Sequence, residues 1–343
     1  MGDCLGAEFE FLRGHSVLPR QQVAAHVAAV KAGKRAGVVG AGGLVQEKYT
    51  DDTAMARQIA LSFVEQKKLD VGCIARRFTE EYFDQPGRGY GGAVRGVFEK
   101  LRDQQYQDPL GPASEQFGGS GSYGNGAGMR AHPIGMALAE GTEKEVVEMA
   151  QNIAKVTHGN PLGVLGGVMQ AVGVYHALRG ATPAEVRERV EATVEDDIDF
   201  SMKMGVIHRS LERSEEDLDY IVQGDDEAVG LGNGVAALHS VPTALFCFLK
   251  VLGKEDPGKE RSIEASQALF EEVLVLAIRC GGDTDTIASM ACALAGAALG
   301  QQAVAPELVA RCEAGEELRG LAASMWELVH GGQNGSEAKK PRL

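Results

Sequence analysis

Aromatic residues are scarce in this chain of 343, at 6% with a single Trp. Sandwiches and barrels draw on aromatic and β-branched residues at alternating positions. Convincing alternation is almost absent here, so an all-β fold is excluded. Cysteine is sparse too: Cys4, Cys73, Cys247, Cys280, Cys292 and Cys312 are scattered, with no CxxC pair. That spacing argues against a zinc site or a disulfide framework, and the thiols read as reduced and buried in a cytosolic-type compartment. No signal peptide is visible, and no apolar run reaches the ~18 residues of a spanning helix, so no membrane partner is expected. Positive charge is short as well, with 34 Lys and Arg against 48 Asp and Glu and a formal net charge of −14. Such a chain is a poor candidate for gripping a nucleic-acid backbone, and no direct nucleic-acid partner is expected. An anionic ligand would need local compensation from divalent cations or clustered backbone N–H groups.

What the chain does have is helix signal and small residues. Thr142 with Glu145 forms a capping box ahead of Val146, Met149, Ala150 and Ile153. Thr182-Pro183-Ala184-Glu185 repeats the device with Pro at the first helical position. Segments 54–66, 91–104, 162–178, 242–252, 262–279 and 306–329 also read as helices. Segment 286–299 is nearly all small or apolar and reads as a central buried helix. The glycine-rich stretches 33–43 and 118–128 read as loops. With no linker and no fixed repeat, one all-α domain is expected over residues 1–332, followed by a disordered polar tail, 333–343. The basic residues of that tail read as solvated more readily than as a nuclear address.

Two clusters carry chemistry. In "YTDDTAMA", Tyr49 to Ala56, Asp51 and Asp52 stand at the start of an amphipathic helix. One such cluster is an ordinary N-cap, since Asp and Thr accept bonds from the free N–H groups of a first turn. A second cluster, "GGDTDTIA", Gly281 to Ala288, changes the balance. Asp283 and Asp285 follow a Gly-Gly break beside buried apolar sequence, and burying unpaired carboxylates costs several kcal/mol. Clustered Asp and Thr oxygens with no His nearby in sequence suit a hard cation, Mg²⁺ or Mn²⁺, better than zinc. The acidic runs "EDDIDF" (195–200) and "GDDEAVG" (224–230) lack the Thr partners and read as solvated faces or caps.

The run "GGSGSYGNGAGMR", Gly118 to Arg130, contains a GxGxxG spacing, with Glu140 at about the distance of a ribose-binding acid. No strand precedes it, so the dinucleotide fingerprint is not met, and the run lacks the Lys of a P-loop. A generic flexible loop is one reading. A backbone anion nest is the other, with Ser122, Tyr123 and Asn125 adding hydroxyls, an aromatic face and an amide.

Together "GDCLGAEFE" (2–10), "YTDDTAMA", "RGYG" (88–91), "GSYGNGAGMR" (121–130), "THG" (157–159), "LGNGVAALHSVPTALFCFL" (231–249) and "GGDTDTIA" resemble the ADP-ribosylhydrolases of the dinitrogenase-reductase-activating glycohydrolase type. The motifs run in the family's order from residue 2 to about 290. The resemblance implies a single compact orthogonal helical domain around two Mg²⁺ ions. By motif, Thr50, Asp51, Asp52, Asp283, Asp285 and Thr286 would be ligands. Glu10, on a mobile flap, would be catalytic and would join the metal set; Glu8 competes for that place, but the spacing favours Glu10. Asp51, Asp52, Gly89, Phe117, Gly121, Ser122, Tyr123, Gly124, Asn125, His158 and Val235 fall where the family contacts ADP-ribose. A lone His at a helix end is as readily a cap or a satisfied surface group as a ligand contact.

The implied activity is Mg²⁺-dependent hydrolysis of serine-linked ADP-ribose on proteins and of poly(ADP-ribose), releasing ADP-ribose. Glu10 would handle the attacking water or protonate the leaving serine oxygen. Hydrolysis of the arginine linkage, or ADP-ribose binding without turnover, are the alternatives. ADP-ribosylated proteins, poly(ADP-ribose) and ADP-ribose are the implied partners of a monomer in cytoplasm and nucleus. The family carries an apolar helix ahead of "GDC" where this chain has only Met1, which reads as a shortened or alternative start. The extension of the mitochondrial form is likewise not seen.

Overall fold

Small residues decide how the helices of this chain meet. In the computed structural model, residues 1–34, 38–39, 45–225, 229–255 and 260–331 are described. The helix Thr284–Leu299 runs through the centre, packed against Ile263–Arg279, Ala237–Leu252, Pro161–Leu178 and the short helix Gly2–Gly6. Its "TIASMACALAGAAL" face is low enough for backbones to approach closely. A Cβ placed on Gly2 would lie 2.1 Å from the Ala288 carbonyl oxygen, and one on Gly6 would lie 2.6 Å from Asp285 Cα. Only glycine fits at either position, so the first turn of the chain is docked backbone to backbone on the central helix.

The expected all-α fold is what forms. Among the described residues, strands are limited to Leu12–His15 and an antiparallel pair, Val38–Val39 with Val45–Gln46. Val38–Val39 falls within the segment 33–43 expected to be loop, and Val45–Gln46 follows it. Residues 35–37 and 40–44 there lie outside the described residues, as do 226–228 of the second acidic run and 332–343. Both capping boxes form as read, at Thr142 and Thr182. Asp197 of "EDDIDF" is the N-cap of Ile198–Ser210, accepting from Phe200 N at 2.9 Å.

Several boundaries differ from expectation. Segment 306–329 is two helices, Pro306–Arg311 and Gly315–His330, broken where Ala314 turns left-handed at φ 55°. Periodicity alone does not see a break that keeps the apolar face in phase. The helix expected at 242–252 begins at Ala237 and carries Pro242 as its sixth residue, where proline leaves the Leu238 carbonyl without its usual intrahelical donor. The helices Arg20–Lys31, Val71–Asp84 and Ile198–Ser210 were not anticipated. The helix Pro161–Leu178 is, by length and composition, long and apolar enough to cross a membrane, contrary to the expectation that no run is. Its glycines hide that length in a reading of apolar runs. Most of it is buried in the core between Glu143–Ala154 and Thr284–Leu299.

Candidate functional site

The helix Asp51–Gln66 starts with two carboxylates, yet neither caps it. The cap comes from elsewhere. Asp3, buried, accepts from Thr50 N at 2.9 Å, from Thr53 N at 3.1 Å and from Thr53 Oγ1 at 2.5 Å. Hydrogen bonds to a charged acceptor contribute about 1.5–3 kcal/mol each, more than neutral ones. With the N–H groups of Thr50 and Thr53 taken by Asp3 and that of Asp51 by the Arg88 carbonyl, the side chains of Asp51 and Asp52 are released for another task. Asp283 likewise makes no side-chain cap bond at the head of Thr284–Leu299.

The two clusters face each other. Asp52 Oδ2 accepts from Thr50 Oγ1 at 3.2 Å and, across the interface, from Thr286 Oγ1 at 3.3 Å. Asp52 Oδ1 is buried with no hydrogen-bond partner. An orphaned carboxylate oxygen in the interior is costly unless a cation meets it. Carboxylate oxygens of Glu10, Asp283 and Asp285 lie within 4.8 Å of one another. Crowding and burial act on the whole group. Burial, then Asp285 and Asp3, pushes Asp51 up to about 8. Burial, then Asp283, pushes Asp285 up to about 8. Asp52 is driven well above the usual carboxylate range by burial and its neighbours, and burial also raises Asp283. Five carboxylates with Thr hydroxyls, all oxygen donors, form a set that fits a hard divalent cation. Its residues would be Glu10, Asp51, Asp52, Asp283 and Asp285 with Thr50 and Thr286.

Glu10 follows a single 3₁₀ turn, Ala7–Phe9, and Phe11 N donates to the Gly282 carbonyl at 2.8 Å. That bond ties the Glu10 segment to the Gly-Gly turn beneath Asp283. Burial, then Asp285 and Asp3, lifts Glu10 to about 7. Glu8 is not in that group and lies 3.4 Å from His26 Nδ1. The geometry thus separates the two glutamates as the spacing does.

The glycine loop abuts the carboxylates. Asn125 Nδ2 donates to Asp283 Oδ2 at 2.6 Å, and Asn125 N donates to the Val235 carbonyl at 2.9 Å. Gly121 has φ +69°, and a Cβ there would fall 2.4 Å from Asn160 N, so the loop closes on the head of Pro161–Leu178 only with glycine. Gly124 N is taken by Ser122 Oγ at 3.2 Å, while the N–H groups of Ser122 and Tyr123 have no protein partner among the described residues. Phe117, Tyr123 and Val235 are exposed around the loop at 60%, 56% and 56%, unusual for large apolar side chains. Gly89 sits beside Asp51, its notional Cβ 3.6 Å from Asp51 Oδ1. His158 is buried beneath the loop, its Nδ1 2.8 Å from Thr157 Oγ1. It is neither a helix cap nor a surface group.

Four residues without an assigned role in the sequence reading hold this arrangement. Asp3 is one. Asn233 donates to the carbonyls of Cys280 and His15, both at 2.7 Å, and its own carbonyl accepts from Asp283 N at 2.8 Å. Arg88 and Glu313 form a two-pronged pair, at 2.6 and 3.1 Å. Arg88 also reaches the Tyr49 carbonyl at 2.9 Å, and its own carbonyl accepts from Asp51 N at 2.7 Å. Asp3, Asn233 and Arg88 stand inside the motifs "GDC", "LGNG" and "RGYG"; Glu313 lies outside every motif.

A family model described as ADP-ribosylglycohydrolase matches residues 1–335. The chain is 37% identical over 347 residues to "ADP-ribosylhydrolase ARH3" of Gallus gallus, spanning 96% of this chain and 90% of that protein. It is 36% identical over 338 residues to "ADP-ribosylhydrolase ARH3" of Homo sapiens, covering 95% and 90%. A solved structure titled "ADP-ribosylglycohydrolase-related protein complex" superposes with a TM-score of 0.64 at 24% identity, over 96% of this chain and 94% of that one, a likeness of fold.

Proposed function

Because the chain belongs to the ADP-ribosylglycohydrolase family, we propose that it hydrolyses the O-glycosidic bond of serine-linked ADP-ribose on proteins and of poly(ADP-ribose), releasing ADP-ribose, with Mg²⁺. The observation that carries this reading is the Asn125–Asp283 hydrogen bond, 2.6 Å long. It joins a glycine loop with free N–H groups to a buried cluster of carboxylates. A diphosphate held by the loop would thereby lie next to a cation site, as a ligand with phosphates at one end and a ribose diol at the other requires.

The division of labour follows from the residues. Ser122 and Tyr123 offer N–H donors to the phosphate oxygens, and the exposed rings of Phe117 and Tyr123 offer faces to a base. Glu10, lifted to about 7 in the metal-free protein by burial and then by Asp285 and Asp3, is placed for proton transfer to a leaving oxygen or from an attacking water. The buried aspartates favour positive charge developing on the ribose ring. Bound Mg²⁺ supplies Lewis acidity and a template for hydroxyl oxygens. Asp51, Asp52, Asp283 and Asp285, with Thr50, Thr286 and Glu10, would hold it.

The linkage is tested by offering ADP-ribosyl-serine peptide, poly(ADP-ribose) and ADP-ribosyl-arginine at equal enzyme concentration with Mg²⁺. A serine oxygen needs only access and a proton, whereas a guanidinium leaving group calls for carboxylates or stacking around it. Rapid release from the serine substrate, slower trimming of the polymer and little action on arginine are expected. Preference for arginine would overturn the subgroup, and binding of ADP-ribose without release from any of the three would leave a binding module.

A further inference from the structure

His158 does not hang free beneath the glycine loop; a buried polar chain ends on it. Arg130 is buried and forms no ion pair among the described residues. Its Nη2 donates to Thr157 Oγ1 at 2.6 Å and to the Ile153 carbonyl at 3.4 Å. Its guanidinium carbon stands 4.7 Å from the Phe78 ring centre, and Nη1 lies 3.5 Å from Met55 Sδ, on the helix that begins with Asp51. Thr157 Oγ1 is in turn 2.8 Å from His158 Nδ1.

The direction of these bonds is set by valence. A guanidinium only donates, so Arg130 occupies one lone pair of the Thr157 oxygen. The hydroxyl has one proton to place. No acceptor other than His158 Nδ1 lies within reach among the described residues, and Thr157 is buried, so donation elsewhere would leave that proton orphaned. Nδ1 therefore accepts, and in a neutral ring the proton sits on Nε2. A charged ring is disfavoured here by burial and then by Arg130, which together bring His158 down to about 3.

Nε2 itself has no hydrogen-bond partner among the described residues, although 94% of His158 is buried, its exposure being 6%. The ring edge lies against the loop: a Cβ on Gly124 would be 3.7 Å from Nε2, and one on Gly126 would be 3.3 Å from it. A Cβ on Gly163 would fall 2.9 Å from Cδ2, on the other side. The ring fills space that side chains at positions 126 and 163 would contest, so the loop and the helix head close on His158 only with glycine there.

We propose that Arg130 and Thr157 are positioning residues that fix His158 as the Nε2–H tautomer, so that a neutral imidazole donates to an oxygen of the ligand carried by the glycine loop. The ligand class is an oxygen-rich nucleoside diphosphate sugar, and in that respect the inference rests on the proposed function. An N–H donor without charge is useful in this place. It recognises a phosphate or ribose oxygen yet neither competes with a cation for the neighbouring aspartates nor changes charge as the pH moves through neutrality.

Long-range ¹H–¹⁵N spectra of the full chain with ¹⁵N-labelled histidine report the tautomer directly, and calorimetric titration reports ADP-ribose affinity. Wild type should show His158 as Nε2–H. Thr157→Ser should keep both the signature and an affinity within twofold. Thr157→Val should lose the pure Nε2–H signature and weaken ADP-ribose binding about tenfold. A wild-type ring found as Nδ1–H or as imidazolium overturns the proposal, as does unchanged affinity in Thr157→Val once its tautomer has changed. If Thr157→Val does not fold, the wild-type and Thr157→Ser spectra decide the tautomer, and His158→Gln, which offers a neutral N–H donor, decides the donor role by keeping more affinity than His158→Ala. Failure of wild type to bind ADP-ribose, with the Nε2–H signature present, would sink the donor role together with the proposed function, an outcome distinct from a wrong tautomer.

Discussion

Asp3 caps the head of Asp51–Gln66 and Glu10 stands with Asp283 and Asp285 at the head of Thr284–Leu299, and single substitutions separate the two roles. Glu10→Gln keeps size and hydrogen bonding but removes the titrating proton. Hydrolysis should fall steeply while ADP-ribose affinity stays within about tenfold, or ~1.4 kcal/mol. Turnover like wild type would return the role to Glu8 or an aspartate. Asp3→Asn should act through geometry, because Asp3 holds the backbone of Thr50 and Thr53 and stands behind the ligand oxygens. Supporting groups of this kind contribute about 10–100-fold in metal affinity. Mn²⁺ binding followed by electron paramagnetic resonance should weaken by that amount, and unchanged binding would make Asp3 merely a cap. The carboxylates Asp51, Asp52, Asp283 and Asp285 were legible in the sequence because buried acids beside Thr and Gly-Gly have few other uses. Glu10 and His158 became legible through motif. Asp3, Asn233 and Glu313 were not, since their partners lie elsewhere in the chain: 47 residues from Asp3 to Thr50 and 225 from Arg88 to Glu313. No local pattern marks an acceptor whose donors are tertiary neighbours.

At the scale of elements, the contact of Gly2–Gly6 with Thr284–Leu299 sets the position of one cluster relative to the other. Thr284 Oγ1 donates to the Gly6 carbonyl at 2.9 Å, so the two helices are bonded as well as packed. Gly6→Ala would push a methyl into Asp285 Cα, which lies 2.6 Å from the notional Cβ. Overpacking costs typically about 1–3 kcal/mol and more where backbone must move. Urea denaturation should therefore show a loss at the upper end of that range, with cation binding weakened too, since Asp285 itself is displaced. A neutral outcome would mean that the short helix shifts freely, contrary to its close packing. Helices with an uninterrupted apolar face or a capping box were legible from sequence. A start five residues ahead of an internal proline, as in Ala237–Leu252, and a break that keeps the apolar phase, as at 312–314, were not, because packing overrides the local signal.

For the whole molecule, the acid cluster links stability to pH and to cation. Asp51 and Asp285 have folded values of about 8 against ordinary values of 3.8. The folded state therefore binds more protons than the unfolded state between those limits, and stability falls as pH rises through the window. Metal-free protein should lose thermal stability on going from about pH 6 to pH 8, and Asp285→Asn should flatten that slope. Mg²⁺ should restore stability, and by more at pH 8 than at pH 6, because a cation that binds only the folded state competes with the protons it displaces. A metal-free melting temperature that rises over this range, with no response to Mg²⁺, would remove the cation from the site.

The docking of the first turn on the central helix also orders events in time. Gly6 waits for Thr284, 278 residues later in synthesis. At about 5–20 residues per second that interval is roughly 14–56 seconds. During it Cys4, Leu5 and Phe9, all buried in the finished protein, have no central helix to cover them. The opening segment is thus an early client for whatever shields apolar chain at the ribosome, and the site it completes is among the last parts of the molecule to exist.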